Sequence, residues 1–155
     1  EGGIRVPFIA KGPGVPAGTV NDHQLAFYDL MPTLLDYAGL NGDAYSRKAS
    51  TSKQYFDGVS FNQTLRGNAA QQEKHEFLYW EFHETNMLGL RMGDWKLVVK
   101  NGTAMLYDLS VDVHEDNDVA AENPEVVKQM VEIMNREHTS SDLFKVQMPG
   151  ESSKR

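Results

Sequence analysis

Residues 76–109 read EFLYWEFHETNMLGLRMGDWKLVVKNGTAMLYDL, and this stretch decides the fold. It contains four short runs of apolar, branched and aromatic residues, which are typical of strands. The second and third runs are separated by Gly93-Asp94, and the third and fourth by Asn101-Gly102. Both dipeptides are typical of tight hairpin turns. The stretch therefore predicts four consecutive strands in an antiparallel meander.

The first of these strands alternates in character, because successive side chains point to opposite faces of a sheet. The alternation predicts one apolar face turned to the core and one solvated face on the opposite side. The core face would hold Leu78, Trp80 and Phe82, and the solvated face would hold Tyr79, Glu81 and His83.

A helix is predicted downstream of the strands. Asn123-Pro124 indicates its start, with Asn123 as N-cap and Pro124 as the first helical residue. We expect this helix to lie across the four strands and to complete a small α+β unit. Its predicted apolar stripe contains Val126, Val127, Met130, Val131, Ile133 and Met134.

The first 40 residues have a different pattern, a strand followed by a helix. Residues 4–10 read IRVPFIA and predict a strand, in which Pro7 marks an edge or irregularity. The helix would have Asp29 as its N-cap and Gly39 just past its end. Its predicted apolar face contains Leu30, Leu34, Leu35 and Ala38.

These patterns predict a chain of four parts. Residues 1–40 are the last strand and helix of a larger α/β domain, and residues 41–75 are a connecting segment. The α+β unit follows over residues 76–148, and a frayed tail over 149–155. Inside the connection, residues 41–57 are expected at the surface, and a helical turn over 61–65 is capped by Ser60 and ended by Gly67.

Composition narrows the classes of function. A formal net charge of −7 over 155 residues argues against a nucleic-acid partner, which requires basic patches. The absence of cysteine excludes disulfides, thiolate metal sites and a cysteine nucleophile from this sequence. No apolar run reaches the length of a membrane span, so no membrane partner is expected, and no signal peptide is visible at the start.

Five segments, taken in order, resemble conserved motifs of the formylglycine-dependent type I sulfatases in the alkaline-phosphatase-like superfamily. One departure is Val113, where many members have proline after the preceding aspartate. The segments are EGGIRVPFIAKGPG at 1–14, YDLMPTLLDYAGL at 28–40, DGVSFNQTLRG at 57–67, GLRMGDWKLV at 89–98 and LYDLSVDVHEDNDVA at 106–120.

The resemblance implies a sulfuric ester hydrolase whose catalytic machinery precedes these segments. The family's nucleophile is a formylglycine made from Cys or Ser in [CS]-x-P-x-R, and its cation is calcium or magnesium. None of the six prolines here has Cys or Ser two positions before it. We therefore expect no catalytic residue, metal ligand or cofactor in this chain, and no activity from the chain alone.

The resemblance also implies the partners of the chain. They are an N-terminal catalytic domain of the same polypeptide and a substrate that is a sulfated glycan or an aryl sulfate ester. Without that domain, the apolar surface of residues 4–38 is expected to be exposed and to self-associate or to be partly disordered. The compartment cannot be read from these residues, but the family is typically periplasmic, secreted or lysosomal.

Four side chains are candidates for substrate binding, because the family's C-terminal subdomain helps to shape the substrate pocket. They are Glu81, His83 and Glu84 at the end of the first strand, and Arg91 in the second. The alternative for the first three is a solvated sheet face with a surface ion pair. The alternative for Arg91, as for Arg5, is a structural pairing with a neighbouring carboxylate.

Several other polar residues resemble sites without their full pattern. Asp22-His23 imitates a metal-binding dipeptide, yet we interpret it as the start of a loop or helix. The acidic run Asp112, Glu115, Asp116, Asn117 and Asp118 lacks the order of a calcium loop and is better explained by turns capped by side chains. His75, His114 and His138 are interpreted as isolated residues without a role.

Two other functions are compatible with the same motifs. One is a phosphodiesterase or phosphonate hydrolase of the same superfamily, which shares the fold. The other is a binding module that keeps the sulfatase C-terminal fold without catalysis.

Overall fold

The structure, a computed structural model, describes residues 1–40 and 57–150. The chain divides into two compact units. The sheet unit comprises Glu1–Val6 and Glu76–Arg155, and the helical unit comprises Pro7–His75. The assignment of residues 1–40 to a larger catalytic domain stays a prediction, and so do the predicted domain boundaries.

Four strands and one long helix form the sheet unit. The strands are β1 Leu78–Phe82, β2 Met87–Met92, β3 Trp95–Lys100 and β4 Thr103–Asp108, and the helix is Pro124–Glu137. The strand order is β1-β2-β3-β4 with every neighbouring pair antiparallel, so the predicted meander is confirmed. The turns occur where the sequence predicts them, with Gly93 and Asn101 at positive φ of 58° and 50°.

The long helix covers one face of this sheet and closes the core. Met130, Ile133 and Met134 are buried against strand residues, so the predicted position of the helix across the sheet is confirmed. Fully burying a side chain of this size contributes about 1.5–3 kcal/mol. The strand residues of this core are Leu88, Leu90, Leu97, Val99 and Leu106.

The start of that helix differs from its predicted cap in one respect. Pro124 is the first helical residue, as predicted, but Asn123 makes no side-chain cap. Its side-chain amide instead donates to the Val119 carbonyl at 3.0 Å. Asn123 therefore stabilises the preceding turn and does not cap the first helical N–H groups.

The predicted faces of β1 are only partly correct: Leu78 is buried, as predicted, but the long helix packs against the other face, which holds Tyr79. Tyr79 pairs with Leu90 and Glu81 with Leu88, and residues directly opposite each other in an antiparallel pair share a face. Because Leu88 and Leu90 face the long helix, Tyr79 and Glu81 lie on the helix side of the sheet. Phe82 belongs to the other face and is 54% exposed. The cross-strand leucines decide which face packs against the helix, and the sequence of β1 alone does not reveal it.

The helical unit contains two α-helices, α1 Leu30–Tyr37 and α2 Asn62–Leu65. Together with the sheet unit's α3 (Pro124–Glu137) these are the α-helices of the described residues. Short 3-10 turns occur at Phe27–Asp29, Ala69–Gln71 and His83–Thr85. Gly39 and Gly67 end α1 and α2 at φ of 74° and 81°, as predicted.

The predicted apolar face of α1 is wrong. Leu34 is 61% exposed, whereas Thr33 is almost completely buried. The Thr33 hydroxyl donates to the Asp29 carbonyl at 2.6 Å and accepts the Phe61 N–H at 2.9 Å. The two hydrogen bonds of Thr33 thus orient the helix, with Leu34 turned outward and Leu30 and Leu35 half-buried.

The predicted strand over residues 4–10 is also wrong. Residues 2–4 form a turn, and residues 5–10 pair with no strand in the described part of the chain. A strand is held by ladder hydrogen bonds to a neighbour, and Pro7 has no N–H to donate. Most of the predicted surface connection (41–57) and the end of the predicted tail lie outside the described residues. No helix among the described residues is long and apolar enough to cross a membrane.

Candidate functional site

A turn at the end of β1 presents two of the predicted site residues. His83 and Glu84 lie in the 3-10 turn His83–Thr85, and both are exposed. Asn86 then adopts the left-handed conformation, φ 49°, and leads the chain into β2. An asparagine tolerates this conformation better than most residues, because its short polar side chain can bond locally.

The side chain of Asn86 fixes this turn to two other segments. Its amide nitrogen lies 3.2 Å from Asn101 Oδ1, in the β3–β4 turn, and 3.3 Å from Gln147 Oε1. Its amide oxygen accepts the Gln147 N–H at 2.7 Å. The turn that carries His83 and Glu84 is therefore held by hydrogen bonds on both sides of Asn86.

Phe144 lies against the His83 ring and remains largely accessible. The two ring centroids are 4.9 Å apart with an interplanar angle of 79°, an edge-to-face contact. Phe144 is 57% exposed, and the Ser141 hydroxyl accepts the backbone N–H groups of Leu143 and Phe144. Sequence reasoning missed Phe144, whose contact with His83 joins positions 61 residues apart.

Glu81 is engaged within the protein. Its Oε1 accepts the Tyr79 hydroxyl at 2.6 Å and lies 2.8 Å from Nδ1 of His138. Burial, followed by the hydrogen bond to Glu81, raises the pKa of Tyr79 strongly. The interpretation of His138 as an isolated residue is wrong, because it joins the end of α3 to β1.

Arg91 belongs to a buried cluster of charged side chains. Arg91 Nη1 lies 3.8 Å from Glu1 Oε1, and its Nε donates to the Gly93 carbonyl at 3.2 Å. Lys96 Nζ lies 3.6 Å from the same Glu1 oxygen and 2.5 Å from Glu115 Oε1. The expected pairing of Arg91 with a carboxylate is confirmed, and its role in substrate binding stays a prediction.

The cluster changes the acid–base properties of its members. Burial by itself would lower the pKa of Lys96, but the Glu115 hydrogen bond and the charges of Glu1 and Glu115 outweigh it and raise the pKa. Burial would raise the pKa of Glu115, and the bond from Lys96 outweighs it and lowers the pKa. Both side chains therefore stay charged at neutral pH, and the attraction is retained.

This cluster joins three of the five motif segments. Glu1 comes from the first, Arg91 and Lys96 from the fourth, and Glu115 from the fifth. Both carboxylate oxygens of Glu1 are buried and accept no hydrogen bond within the described residues. Arg5 lies at the margin, with Nε 4.0 Å from Glu1 Oε2, so its expected salt bridge is confirmed as a weak one.

A second buried polar centre lies in the helical unit. Asp29 accepts the backbone N–H groups of Ala26 at 2.7 Å and Val59 at 2.8 Å. His75 Nε2 lies 2.9 Å from both carboxylate oxygens of Asp29, so the interpretation of His75 as isolated is wrong. Burial, then the charge of His75, lowers the pKa of His23. The centre fixes the start of α1 to the segments that hold Val59 and His75.

The acidic run after β4 consists of turns capped by side chains, as predicted. Asp112 accepts the backbone N–H groups of Asp116 at 3.2 Å and Asn117 at 2.9 Å. These bonds, that of Asn117 first, lower the pKa of Asp112. Asp118 accepts the N–H groups of Leu106 and Ala120. The carboxylates of Asp112 and Asp118 thus bind the protein's own backbone, whereas that of Glu115 binds Lys96.

Curated relatives of this chain are named as sulfatases. It is 28% identical to arylsulfatase K of Rattus norvegicus over 161 residues, covering 94% of this chain and 27% of the relative. It is 30% identical to a sulfatase of Formosa agariphila over 139 residues, covering 80% of this chain and 24% of the relative. The chain belongs to the sulfatase family. It spans about a quarter of the length of these curated relatives.

A solved structure agrees on the fold. Ps i-CgsB, in complex with k-i-k-neocarrahexaose, superposes with a TM-score of 0.61 at 24% sequence identity. The superposition covers 79% of this chain and 26% of that chain. No protein-family model matches the chain.

The described residues do not fit the cofactors that the family implies. Across residues 1–40 and 57–150, no three His, Asp or Glu side chains converge closely enough to hold a metal ion. The sequence has no cysteine, and no serine in a Ser-x-Pro-x-Arg context from which a formylglycine could be made. We therefore derive no catalytic step from these residues.

Proposed function

We propose that this chain is the C-terminal part of a sulfatase that hydrolyses sulfate esters, with its nucleophile and metal site upstream of Glu1. The observation that carries this proposal is the buried cluster of Glu1, Arg91, Lys96 and Glu115. It connects three motif segments of a chain whose relatives are sulfatases. These charges hold the turn that starts at Glu1 against the sheet.

We propose a sulfated glycan as the substrate class, with His83 and Glu84 as contacts to it. Both side chains are exposed on a turn that Asn86 holds in place. An imidazole and a carboxylate can each bond to sugar hydroxyl groups. A solved structure of the same fold contains k-i-k-neocarrahexaose, an oligosaccharide. Glu81 is less suited, because its carboxylate already binds Tyr79 and His138.

We also propose the setting in which the parent acts. Its first partner is the N-terminal catalytic domain of the same polypeptide, which supplies a calcium or magnesium ion and a formylglycine. Its compartment is periplasmic, lysosomal or extracellular. In that setting the 155-residue chain alone would hydrolyse no sulfate ester.

The first experiment is to read the coding sequence upstream of Glu1 and to express the complete protein. We expect a [CS]-x-P-x-R segment upstream, sulfate release from 4-nitrophenyl sulfate by the complete protein, and none by the 155-residue chain. Turnover by the chain alone would contradict the upstream location of the chemistry. A preference for bis(4-nitrophenyl) phosphate would identify a phosphodiesterase instead, and a coding sequence that begins at Glu1 would identify a binding module.

The second experiment tests the glycan contacts in the complete protein. We expect His83→Ala and Glu84→Gln each to lower kcat/KM for a sulfated oligosaccharide about tenfold, as for the loss of a hydrogen bond of about 1.4 kcal/mol. Hydrolysis of 4-nitrophenyl sulfate should be unchanged, because this ester carries no sugar hydroxyl groups for the two side chains to bind. Asp94→Asn, at the opposite end of the sheet, is the matched control. Equal losses on both substrates would show a structural role instead.

A further inference from the structure

The sequence contains two Asn-x-Thr tripeptides, at residues 62–64 and 101–103. This tripeptide, with any residue but proline in the middle, is the acceptor of N-linked glycans. The tripeptide is common by chance, so its place in the fold decides whether it can be used. The two copies lie in opposite environments.

The copy at 101–103 lies on the β3–β4 turn. Asn101 and Thr103 are both exposed, and Asn101 has φ of 50° at the tip of the hairpin. Its side-chain oxygen accepts a bond from Asn86 Nδ2 at 3.2 Å. Its own amide nitrogen donates no hydrogen bond within the described residues. The atom that would be modified is therefore accessible.

The copy at 62–64 is enclosed by the helical unit. Asn62 is only 6% exposed, and its side-chain oxygen accepts the Arg66 Nε–H at 3.1 Å. The Thr64 hydroxyl donates to Gln72 Oε1 at 3.2 Å. A branched glycan on Asn62 would have to displace the packing around it, so the folded chain has no room for one there.

We infer that Asn101 is an N-glycosylation site of this protein and that Asn62 is not. In the transfer, Nδ2 of Asn101 forms a bond to the anomeric carbon of a lipid-pyrophosphate-linked oligosaccharide. The anomeric carbon–oxygen bond breaks, the lipid pyrophosphate leaves, and the amide loses one proton. The inference rests on the exported compartment proposed above.

The modification is compatible with the local structure. Linkage through Nδ2 leaves the side-chain oxygen of Asn101 unchanged, so the hydrogen bond from Asn86 is retained. The Asn101 backbone N–H, which donates to the Asn86 carbonyl at 3.1 Å, is not involved. A glycan at this position would lie beside the turn that carries His83 and Glu84. It would restrict access to that turn from one side.

The test is secretion of the full chain behind a signal peptide from cultured eukaryotic cells. This host supplies the compartment, so the result does not depend on whether the parent is a sulfatase. We expect one glycan, removed by peptide-N-glycosidase in ¹⁸O water with an ¹⁸O-labelled aspartate left at position 101. The glycosylated and deglycosylated chains should have the same melting temperature.

Matched variants locate the site. Asn101→Gln and Thr103→Ala should each abolish the glycan, whereas Thr103→Ser and Asn62→Gln should keep it. If Asn101→Gln impairs folding, Thr103→Ala keeps the asparagine and still removes the acceptor signal. A secreted, folded chain without a glycan would overturn the inference. So would a glycan that persists in Thr103→Ala or maps to Asn62.

Discussion

Glu81 Oε1 lies 2.8 Å from His138 Nδ1 and thereby joins the first strand of the sheet to the end of its covering helix. The same oxygen accepts the Tyr79 hydroxyl at 2.6 Å. Since a carboxylate accepts both bonds, Nδ1 of His138 must carry a proton. Three polar side chains thus hold the edge of a core that is otherwise built from aliphatic side chains and methionine.

Removing His138 should weaken this edge. We expect His138→Ala to lower the free energy of unfolding by about 1 kcal/mol, the typical net value of one hydrogen bond. His114→Ala is the matched control, because His114 is exposed in the turn after β4. Urea unfolding monitored by circular dichroism measures both variants. Equal stability of the two would show that the contact contributes nothing.

Tyr79 should make the sheet unit sensitive to alkali. Its pKa is raised in the folded state, by burial first and then by the bond to Glu81, above the ordinary value of 10.0. Above about pH 10 the unfolded chain releases this proton while the folded chain keeps it, so stability falls as pH rises. The full contribution is present below pH 10.

Urea unfolding of Tyr79→Phe at pH 8 and above pH 10 tests this linkage. We expect the variant to be less stable than the parent chain at pH 8, by about 1 kcal/mol for the lost hydrogen bond. Its further loss above pH 10 should be smaller than that of the parent chain. Parallel losses in the two proteins would contradict a raised pKa at Tyr79.

Lys96 and Arg91 should differ sharply in their importance for stability. Lys96 is almost completely buried, and removing it takes from Glu115 its lysine partner and leaves Glu1 with only the more distant Arg91 and Arg5. We expect Lys96→Met to cost about 3–5 kcal/mol, as for other broken buried pairs. Arg91 lies farther from Glu1 and is more exposed, so Arg91→Met should cost about 1 kcal/mol or less.

The Lys96–Glu115 pair predicts a loss of stability in acid. The pKa of Glu115 is lowered below its ordinary value of 4.5 in the folded state, so its contribution is present above that pH and is lost as pH falls. Glu115→Gln should remove this part of the acid dependence. The free energies of unfolding of the two proteins, measured between pH 3 and pH 7, should therefore converge as the pH falls. A constant separation would argue against the lowered pKa.

The sequence predicts the meander and the long helix because both follow from local patterns. The Gly93 and Asn101 turns, and Pro124 at the helix start, are sufficient to place these elements. The two histidine pairs could not be predicted, since His75 and Asp29 are 46 positions apart and His138 and Glu81 are 57. A local sequence pattern carries no information about a contact between residues so far apart in the chain.

The predictions of which faces of β1 and α1 are buried failed for a related reason. Tyr79 and Trp80 are both large and amphipathic, so alternation alone does not say which of them faces the helix. The partners of β1 in β2 decide it, and Leu88 and Leu90 select the face of Tyr79. In α1, two hydrogen bonds of Thr33 outweigh the tendency of Leu34 to be buried.

Gly58 should tolerate no side chain. A Cβ atom there would lie far inside van der Waals contact with the Tyr28 carbonyl oxygen and 2.8 Å from Asp29 Cα. Backbone atoms cannot rotate away, so we expect Gly58→Ala to cost more than about 3 kcal/mol. Gly3→Ala, whose Cβ would meet nothing within 4 Å, is the control. A melting temperature for Gly58→Ala equal to that of the control would contradict the packing around Asp29.

An apolar stripe on α1 should make the 155-residue chain self-associate when its proposed catalytic domain is absent. Met31 and Leu34 in α1 are 54% and 61% exposed, and their spacing places them on one side of the helix. Phe27, in the 3-10 turn before α1, is 76% exposed. Because each buried side chain contributes about 1.5–3 kcal/mol, the double variant Met31→Glu, Leu34→Glu should raise the dissociation constant at least tenfold. Val111→Glu, at a residue 84% exposed elsewhere, should leave it unchanged. Analytical ultracentrifugation over a range of concentrations measures the association of all three proteins. A parent chain that stays monomeric throughout would show that the exposed stripe does not drive self-association.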